Sequence, residues 1–195
     1  MATTSPKAEG KTATRILDVA ERLVQTRGFN GFSYADIAAE LGITKASLHY
    51  HFPGKAELGE ALINRYGERF AHALAAIDGT DSDARAKLGA YVDLYAEVLR
   101  GQRMCLCGIL AAEYQTLPEP MRDAVVRFFD DNEAWLTGVL AQGQKSGTLS
   151  LCEPAGHAAQ MILSGLEGAM LVARPYSDLK RFKSAADRLL ASLTT

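Results

Sequence analysis

Apolar residues recur at every third or fourth position along almost the whole chain, the spacing of one helix face, and no stretch alternates over a strand's length. Ile16, Ala20, Leu23 and Val24 form the first stripe and predict a helix over 12–27, which Gly28 ends. Leu58, Leu62, Tyr66, Phe70, Leu74 and Ile77 predict a long fourth helix over 55–77. At 1.5 Å per residue such a helix is about 34 Å long, enough to link two halves of the molecule. A fifth helix runs to 100, where Gly101-Gln102 breaks it, and a sixth covers 105–115. Pro118 and Pro120 suit the first turn of a seventh that runs to 146. An eighth follows Pro154 to 173, and a ninth covers 178–193. The expectation is an all-α fold of about nine helices, with no strand, internal repeat or low-complexity tract.

Residues 32–55 carry the most detailed grammar. Ser33 has the character of an N-cap, with Asp36 three residues on, and Phe32 and Ile37 have the spacing of a hydrophobic staple. Gly42 suits the left-handed residue that closes a helix. Thr44 then caps a second helix, Ile43 and Leu48 repeat the staple, and Pro53-Gly54 stops it. Two short helices joined by a tight turn with Gly make a helix-turn-helix, whose second helix can enter the DNA major groove. With Leu48 and Phe52 turned to the core, Ala46, Ser47, His49 and Tyr50 point away from it, beside Thr44 and Lys45. Short side chains at 46 and 47 let backbone approach base edges. Lys45, His49, Tyr50 and His51 carry donors that reach phosphates, and the helix N-terminus favours a phosphate as well.

The run Ile37-Ala38, then Leu41-Gly42-Ile43-Thr44-Lys45, Leu48-His49-Tyr50-His51-Phe52 and Lys55, resembles the DNA-binding signature of the TetR (AcrR-type) regulators. The resemblance is dense over 12–65. It implies a homodimeric, all-helical, ligand-responsive repressor, with DNA contacts at Ser33, Thr44, Lys45, Ser47, Tyr50, His51 and Lys55. A DNA-binding head over 1–54 and a ligand-binding and dimerisation body over 55–195 follow. Residues 1–10 are expected to be a loose tail, and Lys7 within it and Lys11 just after it are candidates to follow the DNA backbone.

In the body, the eighth helix is apolar almost all round, with Met161, Ile162, Leu166, Met170 and Leu171, and it demands burial on more than one side. Its small residues Ser164, Gly165, Gly168 and Ala169 let another helix come close. With Phe182 and Leu189 of the ninth helix, they are the expected seam of an isologous four-helix dimer interface. Tyr91, Tyr95, Cys107, Tyr114, Phe128 and Trp135 are candidates for an effector pocket. The segment Arg103-Met104-Cys105-Leu106-Cys107 looks like a TetR subgroup with a Gly-Cys-Leu run at the start of the sixth helix. In some members that cysteine answers electrophiles or oxidants. Cys105 is the matching position; Met104 replaces the usual Gly, and Cys107 is additional. A helix N-terminus and Arg103 are expected to lower the thiol's pKa.

Composition narrows the alternatives. Of 195 residues 48% are apolar and 23% charged, as in globular domains, and no apolar run reaches the ~18 residues of a membrane span. The first fifteen residues hold no apolar leader, so the expected location is the cytoplasm. Net charge is −2, yet residues 1–55 hold seven Lys or Arg against five Asp or Glu, a mildly basic head on an acidic body. That balance disfavours a ligand-independent DNA-organising protein. Three cysteines, at 105, 107 and 152, read as reduced thiols. A small thiol-dependent enzyme drawing on Glu113, His72 or His157 has no supporting motif. Cys105 and Cys107 lie about 200° apart on a helix, poorly placed to share a metal. Neither metal nor cofactor is expected; the partners are a palindromic operator, a second copy of the chain, and a small-molecule or electrophilic effector.

Overall fold

The computed structural model describes residues 6–193. Its helices are α1 (Pro6–Arg27), α2 (Tyr34–Leu41), α3 (Lys45–His51), α4 (Lys55–Asp78), α5 (Ala84–Arg100), α6 (Leu106–Ala112), α7 (Glu119–Ser146), α8 (Ala155–Ala173) and α9 (Leu179–Leu193). Short 3-10 turns lie at Tyr114–Thr116 and Arg174–Tyr176. Among the described residues there is no strand, and no helix is long and apolar enough to cross a membrane.

Two boundaries depart from the pattern reading. Helix α1 starts at Pro6, not near 12, because proline presets the helical φ at a first position where no N–H is needed. Lys7 and Lys11 therefore ride on a helix, and the proposed loose arm keeps only residues 1–5, which lie outside the described residues. Helix α6 is shorter than expected. It ends at Ala112, and the chain tightens into the 3-10 turn before Pro118.

The buried side chains form one cluster from Ile16 in α1 to Phe182 and Ala186 in α9. Helices α4, α5, α7, α8 and α9 pack side by side as the body, while α1, α2 and α3 make the head. Helix α4, about 36 Å long, touches α1 at one end and α5, α6 and α7 along the rest. Ion pairs fasten the head to it: Arg65 pairs with Asp18, and Arg69 Nη2 reaches Glu21 Oε1 at 2.5 Å. The end of α1 is also tied to the body. The Met104 N–H donates to Gln25 O (3.2 Å), and Arg174 Nη2 donates to Thr26 O (2.7 Å).

The expected dimer seam needs correction. Phe182 is fully buried within its own protomer, and Gly165 lies against the Leu189 side chain, so these three residues join α8 to α9 of one chain. Met161, Ser164, Gly168, Leu171 and Val172 form the exposed stripe instead, with Ala169 half-buried at its edge.

Candidate nucleic-acid interface and thiol site

The head is built by local rules. Ser33 gives both its backbone N–H (2.7 Å) and its hydroxyl (2.6 Å) to the Asp36 carboxylate, and these bonds hold the Asp36 carboxyl below its ordinary pKa. Gly42, at φ +66°, ends α2 in the left-handed conformation that glycine adopts without strain. The Thr44 hydroxyl then accepts the Ser47 N–H at 3.1 Å and opens α3. Leu48 is fully buried and Phe52 nearly so, which fixes the rotation of α3 about its axis.

That rotation sets the outer face. Thr44, Lys45, Ala46, His49 and Tyr50 are exposed, Ser47 and His51 partly so, and Tyr50 stands 70% exposed with its ring edge-on to His51. His49 is held by contact of its Nδ1 with Pro53 O (2.9 Å) and by the Tyr34 ring. Tyr34, which the spacing did not single out, donates its hydroxyl to Phe52 O (2.9 Å) and Gly54 O (2.6 Å). It pins the end of α3 to the start of α2, and burial pushes its phenol up to about 12.

Two sequence-nominated contacts are engaged internally. The Ser33 hydroxyl serves its own helix. The Lys55 ammonium turns inward, donates to Phe29 O and to Phe32 O (2.5 Å), and sits over both phenyl rings. Desolvation lowers its pKa, and the nearby Glu113 and Asp36 charges oppose that shift. Lys55 is thus a clamp on the α1–α2 turn, and the expectation that it meets DNA is corrected.

The second site lies where α4, α5, α6 and α8 meet. Cys105 caps α6 and Cys107 lies in its first turn; both are buried and free. Tyr66 donates its hydroxyl to Cys105 Sγ (3.8 Å), and the Cys105 N–H points at Met170 Sδ (3.2 Å). Burial drives both thiols well above their usual range, and the Glu167 carboxyl adds to the effect. The expected net lowering is not found: the Gly108 N–H at the helix end does pull Cys105 down, but burial outweighs it, and Arg103 bonds Gln25 Oε1 (3.3 Å) instead. Tyr91, Tyr95 and Phe128 pack into this cluster. Tyr91 bonds Tyr95 (3.2 Å) and Asn132 Oδ1 (3.1 Å), and Trp135 stacks on it at 5.4 Å. Tyr114 does not join; it lies on the 3-10 turn beside Arg122. Among the described residues no three His, Cys, Asp or Glu side chains converge on a metal position.

The two sites are joined by α6. Glu113, immediately after it, accepts the Phe29 N–H at 2.6 Å and the Asn30 N–H at 3.5 Å, and Asn30 Nδ2 donates to Thr116 Oγ1 at 2.7 Å. One seven-residue helix thus has the buried thiol at its start and the turn that leads into α2 at its end.

Residues 16–62 match the family model described as bacterial regulatory proteins, tetR family, and residues 84–189 match the tetracyclin repressor-like C-terminal domain. The chain belongs to the TetR family. A TetR-family regulator from Agrobacterium tumefaciens superposes with a TM-score of 0.92 at 33% identity, over 96% of this chain and all of that one. An uncharacterised HTH-type transcriptional regulator of Lactococcus lactis is 28% identical over 93% of this chain and 92% of its own. The transcriptional repressor NemR of Escherichia coli is 26% identical over 85% of each chain. Its reduced form has been solved as a crystal structure, which shares the fold with a TM-score of 0.81 at 23% identity, over 94% of this chain and 97% of that one. Family membership makes the head a helix-turn-helix DNA-binding unit of a transcription regulator.

Proposed function

We propose that this TetR-family regulator is a homodimeric repressor whose two α3 helices occupy adjacent major grooves of a palindromic operator. On this reading it releases the operator when an electrophile adds to Cys105. Lys45, Tyr50, His51 and the α3 N-terminus at Thr44 and Ser47 contact the duplex; Ala46 and His49 border it. The exposed α8 stripe of Met161, Gly168, Leu171 and Val172 is the face that a second copy covers.

The observation that carries the reading is the span of α6 from Cys105 to Glu113. The Cys105 surroundings are close-packed, so an adduct there has no room without displacing a neighbour. Displacement of α6 draws Glu113 from the Phe29–Asn30 turn and changes how the head sits on α4. Both heads must fit at once, so a shift of a few ångströms in one removes an anchor. A groove of about 200 Å³ between α4 and α5, lined by Tyr66, Phe70, Leu94, Val98 and Arg103, leads to Tyr66, behind which the Cys105 sulfur lies. This is the way in for a small electrophile. The reduced form in which NemR was solved supports a thiol-based reading here as well.

The test uses an operator selected from random duplexes and anisotropy-detected binding. Release by an α,β-unsaturated carbonyl compound is expected to persist in Cys107→Ser and to vanish in Cys105→Ser. Glu113→Ala is expected to keep the alkylation and weaken the release. Lys45→Ala lowers affinity and flattens the salt dependence by about one unit of slope. Release undiminished in Cys105→Ser sinks the sensor, and an unchanged salt slope removes Lys45 from the interface.

A further inference from the structure

Helix α8 has one carboxylate and no Lys or Arg among its 19 residues: Glu167, on a helix whose other polar side chains are His157, Gln160 and Ser164. Part of its stem reaches the surface, but Oε1 is sealed from solvent and has no hydrogen-bond partner. The carboxyl lies against the bare α-carbon of Gly108 in α6, where any Cβ would collide with it. Gly108 lies in the first turn of α6, which Cys105 caps, so the carboxyl sits over the thiol's end of that helix. The Cys105 thiol and Tyr95 hydroxyl are the neighbours that hold its pKa down against burial. An unpaired buried carboxyl oxygen is costly, and Leu or Met would fill the same space without that cost. The position is therefore unexplained by packing.

We propose that Glu167 accepts the Cys105 proton as an α,β-unsaturated carbonyl compound adds to the sulfur, so that the thiol reacts without first standing as a thiolate. This rests on the electrophile reading above and supplies its chemistry. The sulfur lone pair forms the S–C bond to the β-carbon, the C=C π pair moves toward the carbonyl, and the thiol proton passes to the carboxylate. Glu167 then returns that proton to the α-carbon, so the net change is addition of S–H across the double bond, with the carboxylate restored. The carboxyl already lies against Gly108 on the same turn of α6 that Cys105 caps, which places acceptor and donor at one end of one helix, the first requirement for such a transfer.

The protonation states agree. Burial closes the free-thiolate route for Cys105 at neutral pH, whereas the Glu167 carboxyl, raised by burial to about 7, is ionised in a large fraction of molecules there. The titratable groups around it are Tyr66 of α4, Tyr91 and Tyr95 of α5, and Cys105 and Cys107 at the start of α6. All are held neutral by burial. No group on α7 or α9 shifts the Glu167 proton; the α7 side chain in this cluster is Asn132, bonded to Tyr91.

The experiment measures the rate at which methyl vinyl ketone alkylates Cys105 in the full chain between pH 5.5 and 8.5. Peptide-resolved mass spectrometry separates that site from the exposed Cys152. Glu167→Gln removes the acceptor, and Gly108→Ala pushes the carboxyl aside while keeping it in the molecule. Circular dichroism and Trp135 fluorescence report the fold of each. Wild type is expected to show an inflection near pH 7, and both variants to lose it and to react at least tenfold more slowly at pH 7.5. A Glu167→Gln protein with the wild-type rate and profile overturns the proposal and leaves the thiol sensor standing, as does a wild-type profile without the inflection. Absence of any Cys105 adduct in wild type removes the sensor and this proposal together.

Discussion

In the head, Asp36 stands in solvent and receives the Ser33 N–H and hydroxyl; in the body, Glu167 is closed in among Tyr95, Cys105 and Gly108 with one oxygen unpaired. The first carboxyl is pulled below its ordinary pKa by hydrogen bonds, the second pushed above it by burial. Asp36 therefore contributes stability at neutral pH that is lost as acid titrates it through its lowered value. Glu167 is the reverse case. Its folded value lies above the unfolded one, so the stability it permits is complete below the unfolded value and declines as pH rises through the folded one. One carboxyl organises a helix end, and the other is held at a cost. A cost retained at a site that touches a thiol marks reactivity, while a hydrogen-bonded cap marks architecture.

The sharpest way to break this contrast is Leu48→Ala. Leu48 is fully buried and is the side chain that orients α3, so its truncation costs about 2–5 kcal/mol. Operator binding is expected to be lost. The single tryptophan lies in α7, so the denaturation midpoint followed by Trp135 fluorescence reports the body and is expected to stay put. A shift of that midpoint equal to the loss in the head would make head and body one cooperative unit and erase the division on which the comparison stands. Next in size is the pH dependence of stability. A carboxyl at about 7 in the fold and 4.5 outside it corresponds to at most ~3 kcal/mol of linkage. Urea titrations from pH 4.5 to 8 are expected to show wild type losing ground to Glu167→Gln as pH rises. Parallel curves would mean that the carboxyl is not held up by burial.

The same contrast explains what could be read from the chain alone. Ser33, Gly42 and Thr44 act on neighbours within four residues, so capping and staple rules recovered α2, the turn and α3, and the outward face of α3 followed from Leu48. Glu167 acts on Cys105 and Gly108 some sixty residues away, and Lys55 on Phe29 and Phe32 across the head. Spacing carries no information about such contacts. One signal was nonetheless available: a lone glutamate on a mostly apolar helix is expensive to bury and singles itself out. The small and apolar residues of α8 point to burial alone, and Phe182 and Gly165 mark the limit of that signal, since a stripe that serves its own neighbour α9 looks identical to one that serves a second copy.

The smallest effect tests the boundary between architecture and contact at Ser33. Its hydroxyl bonds Asp36, while the resemblance to the TetR signature implies a DNA contact there. Ser33→Ala removes the hydroxyl but leaves the backbone N–H bond to the carboxylate, so about 1 kcal/mol of helix stability is at stake. If capping is its whole role, the variant loses operator affinity only as far as the head is less often folded. At a temperature well below unfolding, that fraction is close to unity and binding is expected to be unchanged. A loss of tenfold or more under those conditions, with a flatter salt dependence, would mean that the hydroxyl leaves Asp36 for a phosphate when DNA arrives. Ser33→Thr separates the outcomes further, because it keeps a hydroxyl for either partner and changes only the space beside it.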